Sequence, residues 1–485
     1  MTETNLKHKT KVGLYWSLFE KFANIGMQFV VSIIMARLLS PSDYGITALP
    51  AVFIAVSNVL IEGGFSQALV RKQDLKDEDI ATAFYYSMLV GIFLYVILFV
   101  LSPFIAVFYE QPVLTKLVRI TALLFVITPI NTPQTVLLQR RLNFKTPARI
   151  SVINKVVSGI VGILTAYYGF GLWALVISNI TASVLGSIQT WLAVRWIPKV
   201  RWSKESFRYL WNYGNKLIAT NLLSTLYNNV TPLVLGKVGG TVDLGNLHRA
   251  KQYAALPNNT ITGTLTSVTF PVLSKVNDDK DLLERNYRKM ICVSSYIMFP
   301  IMMLIAALAR PLIVVMITEK WVNAIYLLQI MCFTYMWQPI QILNLNVLQV
   351  MGRTDYTLKL ELFKKPIGLL FILGGLLING VVGLCYADLA FTFVALLFNS
   401  HYTYKIINVG LRKQLKDVLP SLLLSLLVFG LVLLVTYVIP ILFLQLIIGV
   451  VVGVIVYLGL SYIFHFPELN EVFYLIRLNS KQESY

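Results

Sequence analysis

The sequence predicts an all-α polytopic membrane protein. It should have about 14 transmembrane helices, in two six-helix lobes of a parallel repeat plus two C-terminal helices. Three observations carry this. Of the 485 residues, 57% are hydrophobic and only 13% are charged, with a mean hydropathy of +0.70. Soluble domains carry ~25% charged residues. Apolar runs recur along the whole chain at the ~20 residues that a helix needs to cross ~30 Å of hydrocarbon. The loops between them are alternately rich and poor in lysine and arginine. An ordinary soluble enzyme, a disordered chain and a disulfide scaffold are excluded by the same composition.

The predicted spans are 12–36, 44–66, 82–108, 116–138, 149–168, 171–195 and 211–236, then 245–272, 289–309, 323–350, 358–378, 381–404, 417–436 and 441–464. The runs are long and continuous, so helices are expected rather than the alternating ten-residue strands of a barrel. The chain has 41 basic and 23 acidic residues, a formal +18. In a soluble protein that excess would point to nucleic acid, but here topology explains it. One set of loops holds 28 basic residues, from Lys7, Lys9 and Lys11 through Arg140 and Arg141 to Arg477 and Lys481. The other set holds five: Arg37, Lys116, Lys237, Arg310 and Lys320. Both termini should therefore be cytoplasmic, in a multi-pass protein of the bacterial inner membrane. The loops on the basic-poor side are short, the longest being 310–323, and leave no room for an external catalytic domain. No cleavable signal is read at the N-terminus. Cys292, Cys332 and Cys385 fall within apolar stretches and read as small core residues.

The chain repeats itself at an offset that grows from 200 to 212 residues. Ser42-Asp-Tyr-Gly45 matches Val242-Asp-Leu-Gly245, and Ser102-Pro-Phe-Ile105 matches Arg310-Pro-Leu-Ile313. Thr128-Pro-Ile130 matches Gln338-Pro-Ile340, Leu138-Gln139 matches Leu348-Gln349, and Gly171-Leu172 matches Gly383-Leu384. The offset covers an even number of spans, so the copies share one orientation and should be related by an axis along the membrane normal. The expected divisions are 1–198, 199–410 and a C-terminal 411–485. Two like-oriented lobes suit alternating access, although duplication alone is also compatible with a scaffold.

Span 1 carries Ser17, Glu20, Lys21, Asn24, Gln28 and Ser32 at helical spacing on one face. Span 7, its repeat partner, carries Asn212, Lys216, Thr220, Ser224 and Asn228 in an i, i+4 row. A charge facing the bilayer centre costs ~2.5–3.5 kcal/mol on insertion scales, so such faces should see water or another helix. Interhelical hydrogen bonding explains Asn, Gln, Ser and Thr as readily as a cavity does. In span 8, Arg249 shares a face with Asn246 and Gln252, and its planar fork of donors suits phosphate; Lys251 could instead snorkel. Span 10 adds Gln338, Gln341, Asn344, Asn346 and Gln349, a lining suited to hydroxyl-rich sugars or to bundle packing. The substrate-cavity candidates are thus Glu20, Lys21, Asn24, Gln28, Lys216, Ser224, Asn228, Arg249, Gln252, Gln338 and Gln341. Glu62 and Asp388 are candidates for ion coupling. Glu361, Lys364 and Lys365 are further charged residues of span 11.

There is no phosphate-binding P-loop and no metal-ligand spacing, so no cofactor is expected and the chain is not read as an enzyme. Asn277-Asp-Asp-Lys-Asp281 reads as a solvated hinge, and Arg140-Arg141 as ordinary positive-inside charge.

Four motifs carry a family resemblance. They are Ala36-Arg-Leu-Leu-Ser-Pro-Ser-Asp-Tyr-Gly45, Gly64-Phe-Ser-Gln-Ala-Leu-Val-Arg71, Leu244-Gly-Asn-Leu-His-Arg-Ala250 and Phe270-Pro-Val-Leu-Ser-Lys275. With these the chain resembles polysaccharide exporters of the multidrug/oligosaccharidyl-lipid/polysaccharide flippase superfamily, most closely the WzxC-like lipopolysaccharide biosynthesis proteins. Leu247 stands where that family often has Tyr. The resemblance implies a two-lobed transporter that flips an undecaprenyl-pyrophosphate-linked oligosaccharide across the bacterial inner membrane by alternating access. Lys21, Lys216 and Arg249 would be its pyrophosphate contacts. It also implies membrane lipids as neighbours, no nucleic acid, function as a monomer, and polysaccharide polymerases or glycosyltransferases as candidate partners. Two other readings remain open: an ion-coupled small-molecule or multidrug antiporter of the same superfamily, and a membrane glycan polymerase or transferase.

Overall fold

The computed structural model describes the backbone of residues 3–141 and 143–471, and their side chains except at 3–15, 17–19, 22 and 354. Ser17 and the basic residues Lys7, Lys9, Lys11, Arg477 and Lys481 lie outside the described side chains. The regular structure of the described residues is entirely helical, with no strand among them. It packs as two compact units, 1–245 and 246–485. This packing boundary falls one span later than the repeat boundary expected at 198/199.

The first unit contains α1 (Glu3–Leu38), α2 (Pro41–Ala48), α3 (Ala51–Glu62), α4 (Phe65–Arg71), α5 (Asp77–Phe108) and α6 (Val113–Thr121). There follow α7 (Leu124–Ile127), α8 (Thr132–Arg140), α9 (Lys145–Tyr167), α10 (Trp173–Val194), α11 (Lys204–Asn228) and α12 (Val230–Val238). Local chemistry sets the starts. Ser40 caps α2 in a reciprocal box with Asp43, its Oγ accepting from the Asp43 amide at 3.2 Å while its own amide donates to Asp43 Oδ2 at 2.9 Å. Pro41, the next residue, suits a first helical turn. The α5 start gathers Asp77, Glu78 and Asp79 at its positive end. Lys72 donates to both Asp79 oxygens at 2.7 and 2.8 Å. Arg140 spreads its guanidinium over the carbonyls of Leu69, Lys72 and Gln73, closing the end of α4. The Arg140 half of the basic pair is therefore a cap. Phe65, Leu69, Ala83, Val136 and Leu210 form an apolar cluster among α4, α5, α8 and α11. Along α5, Leu89, Phe93, Val96, Val100, Phe104 and Val107 are exposed at three- to four-residue spacing, the signature of a lipid-facing stripe.

α13 (Gly240–Ser274) begins in the first unit and continues into the second, which holds α14 (Lys280–Ala307), α15 (Ala309–Ile317), α16 (Val322–Tyr335), α17 (Gln338–Val350), α18 (Thr354–Ile407), α19 (Leu411–Val438) and α20 (Leu442–Ile463). The carboxylate of Asp279 accepts from the amides of Asp281 and Leu282 at 3.0 Å each, so the acidic run before α14 is a helix cap. α18 is two helices folded on each other at Asn379 and Gly380, whose φ of 54° and ψ of −140° no β-carbon-bearing residue adopts comfortably. A β-carbon on Gly383 would fall 2.1 Å from the Gly375 carbonyl oxygen, which a straight helix would hold apart. The pairs Phe371–Phe391, Lys364–Asn399 and Tyr356–Tyr402 confirm the antiparallel return. Spans 13 and 14 have no repeat partner, and they pack firmly on α14. Tyr296, Leu308, Leu424, Val428, Val432 and Tyr457 form one cluster, and Arg288 grips Asp417 at 2.7 and 2.8 Å.

Nine helical segments among the described residues are long and apolar enough to cross a membrane, one of them the folded Asp355–Ile407. The chain is thus an all-α polytopic membrane protein. The predicted spans outside that set are spans 1, 7, 8 and 10, the same four that carry the polar rows.

Candidate functional site

The rows on α1 and α11 are what set these helices apart from ordinary lipid-facing ones. On α1, Lys21 and Gln28 are exposed, and their i, i+7 spacing puts them on one face. Glu20 is half-buried. Asn24, at the edge of the same face and half-buried, donates to Ser151 Oγ of α9 at 2.8 Å. On α11, Asn212, Lys216, Thr220 and Asn228 are exposed and Ser224 is half-buried. The first unit therefore presents two polar helix faces, each with one exposed lysine. Both faces belong to helices that would pay heavily for lipid contact.

In the second unit the predicted residues divide. Arg249 is only 1% exposed. Its Nη1 donates to Gln252 Oε1 at 2.8 Å, and its guanidinium stands 5.2 Å from the centre of the buried Trp321 ring. That is cation–π geometry in the protein interior. Leu247 is 2% exposed, so an apolar side chain suits that position. Two residues beyond Arg249, Lys251 is partly exposed and faces Asp388 Oδ2 at 3.7 Å. Gln338 and Gln341 are half-buried on α17. Glu62 is exposed at the end of α3.

Asn344 and Asn346 hold helices together. Asn344 Oδ1 accepts from the hydroxyls of Tyr287 and Thr403, at 2.7 and 2.6 Å, and from Gln414 Nε2 at 2.9 Å. Asn346 donates to Thr269 at 2.8 Å. Lys364 reaches Asn399 at 3.1 Å and Glu361 at 3.3 Å, and Lys365 lies 3.6 Å from Glu361. Sequence reasoning missed Lys251 as the partner of Asp388. The available signal was the lone carboxylate Asp388 in an apolar span and two cations, Arg249 and Lys251, in span 8. It also missed the pair Lys237–Glu110, 2.7 Å apart, in which Glu110 adopts a left-handed φ of 56°. The lysine holds the exposed Glu110 carboxyl below the usual carboxylate range.

The family model described as polysaccharide biosynthesis protein matches residues 34–326. Among curated proteins, the chain is 23% identical to the teichuronic acid biosynthesis protein TuaB of Bacillus subtilis, over 71% of each chain. It is also 23% identical to the lipopolysaccharide biosynthesis protein WzxC of Escherichia coli, over 78% of this chain and 77% of that one. Among solved structures, the lipid II flippase MurJ in an inward closed conformation superposes with a TM-score of 0.74 at 16% identity, over 94% of this chain and 98% of that one. An inward-facing MATE family multidrug resistance transporter gives 0.57 at 16% identity, over 79% and 96%. These superpositions are likenesses of fold.

Proposed function

The chain belongs to the polysaccharide biosynthesis protein family, and on that footing we propose that it flips a lipid-linked oligosaccharide across the bacterial inner membrane by alternating access. The observation that carries this reading is the pair of exposed polar faces on α1 and α11, with Lys21 and Lys216 on them. Neutral Gln, Asn and Thr side chains can exchange hydrogen bonds with sugar hydroxyls, and the two ammonium groups suit a diphosphate. The apolar tail of such a substrate would stay in the bilayer, which the exposed apolar stripe of α5 suits. Arg249 would act from within the protein, stiffening α13 rather than touching cargo first. The basic-rich loops and both termini would face the cytoplasm, with the protein working as a monomer. Enzymes that build or polymerise the glycan are the expected partners.

Reconstituted liposomes test this. A fluorescent undecaprenyl-pyrophosphate oligosaccharide is placed in one leaflet, and its protection from an impermeant quencher is followed. Protein-dependent flipping supports the reading. Proton- or sodium-driven efflux of a cationic dye without lipid flipping would replace it with a small-molecule antiporter.

A further inference from the structure

α13 carries two cations two residues apart, and the structure treats them differently. Arg249 is enclosed, bonded to Gln252 and placed over the Trp321 ring. Lys251 keeps 29% of its side chain exposed, and so does its partner Asp388. Their 3.7 Å separation is a full ångström longer than the 2.7 Å of Arg288–Asp417 in the same unit. At 1.5 Å of rise per residue, Lys251 lies about 16 Å along α13, and Asp388 about 12 Å beyond the α18 fold. Both ends from which these are measured adjoin loops poor in Lys and Arg, so the pair sits near mid-membrane. A lone charge there is costly, which explains why each has a partner. Among the described residues, Tyr335 of α16 and Cys385 of α18 face the pair, and His248 of α13 lies near Lys251. Asp388 is the carboxylate among them.

A loose, partly exposed ion pair is one that a stronger anion can exchange. A lysine ammonium is a compact point charge with three donors on a flexible stem, suited to moving between acceptors. A diphosphate offers more charge and more acceptor oxygens than one carboxylate. We propose that Lys251 is a shared counter-ion, holding Asp388 when no cargo is present and the phosphate oxygens of an anionic headgroup when it is. Asp388 then competes with the cargo for Lys251. That competition lowers affinity for the headgroup and returns a partner to the lysine on release. The assignment rests on the reading of the chain as a carrier of diphosphate-linked glycans and adds to it a residue that sets release.

The test titrates inorganic pyrophosphate into the purified full-length protein in detergent, by calorimetry. Lys251→Gln should weaken binding about tenfold or more, Lys251→Arg should retain it, and Asp388→Asn should tighten it severalfold. Asp388→Glu, which keeps the competing charge, should behave as wild type. Thermal melting of each variant identifies those that misfold, and the two conservative variants then decide the matter. Asp388→Asn binding that is unchanged or weaker overturns the proposal, as does a wild type that binds no pyrophosphate. The liposome assay separates the two claims. Opposite shifts in binding without any lipid flipping would keep the counter-ion and discard the transport reading. Flipping with pyrophosphate binding indifferent to both residues would do the reverse.

Discussion

Gly45 and Gly245 occupy matching places in the two copies of the repeat and pack against each other's helices. A β-carbon on Gly45 would fall 1.7 Å from the Thr241 carbonyl oxygen, and one on Gly245 would fall 1.9 Å from that of Pro41 and 3.2 Å from the Gly45 amide. Ser42 and Thr241 hydroxyls meet beside them at 3.0 Å. The repeated Asp-x-Gly in these segments thus marks a backbone-to-backbone crossing of α2 with the first turn of α13. Close approach of this kind is what small residues provide in membrane bundles.

Because the obstacles are backbone atoms, neither helix can yield locally. Gly45→Ala and Gly245→Ala should each destabilise the protein by about 1–3 kcal/mol. Gly26→Ala, with nothing within 4 Å of the added carbon and a helix interior that favours alanine, should be neutral to slightly stabilising. Melting temperatures in detergent check this, and an equal melting point for all three variants would refute the crossing.

Glu110 and Lys237 give a pH-dependent contact. The folded protein lowers the Glu110 carboxyl below its unfolded value, because the Lys237 ammonium lies 2.7 Å away. Its contribution is therefore complete above the unfolded carboxylate range and disappears as pH falls through the lowered folded value. The melting difference between wild type and Glu110→Gln should be present at neutral pH and close on acidification. A difference that widens in acid would have the wrong sign. Glu110 is fully exposed, so the effect should be small and should shrink further in salt.

The Asn344 side chain bonds to the side chains of Tyr287, Thr403 and Gln414 and to the carbonyl of Ile340. Asn344→Ala would leave Tyr287, Thr403 and Gln414 without their shared acceptor. Hydrogen bonds between membrane helices average ~0.6 kcal/mol and reach ~1.7. A loss of about 1–3 kcal/mol is expected, with flipping retained in the protein that stays folded. Loss of flipping at unchanged stability would instead give Asn344 a role with cargo.

Much of the fold was legible because membrane helices obey length and hydropathy. The break expected between residues 378 and 381 falls at Asn379 and Gly380. The polar rows were legible as rows, since helical spacing puts residues on a face. What each face meets was not legible. Lys21 and Asn24 lie three residues apart, yet one is exposed and the other is bonded to α9. Arg249 and Lys251 look alike in sequence, yet one is enclosed over Trp321 and the other meets Asp388 across 137 residues of chain. Spacing fixes direction around one helix, while the partner depends on how separate helices pack.

The central claim is that the exposed lysines of α1 and α11 hold an anionic lipid-linked headgroup. Its most direct test is the flipping rate of the fluorescent lipid-linked oligosaccharide in liposomes bearing Lys21→Gln/Lys216→Gln, compared with wild type at matched reconstitution. Both side chains are exposed, so the substitutions should leave the melting temperature nearly unchanged. The account predicts flipping slower by about tenfold or more, with the loss deepest for diphosphate-linked cargo. An unchanged rate in the well-folded double variant would contradict it.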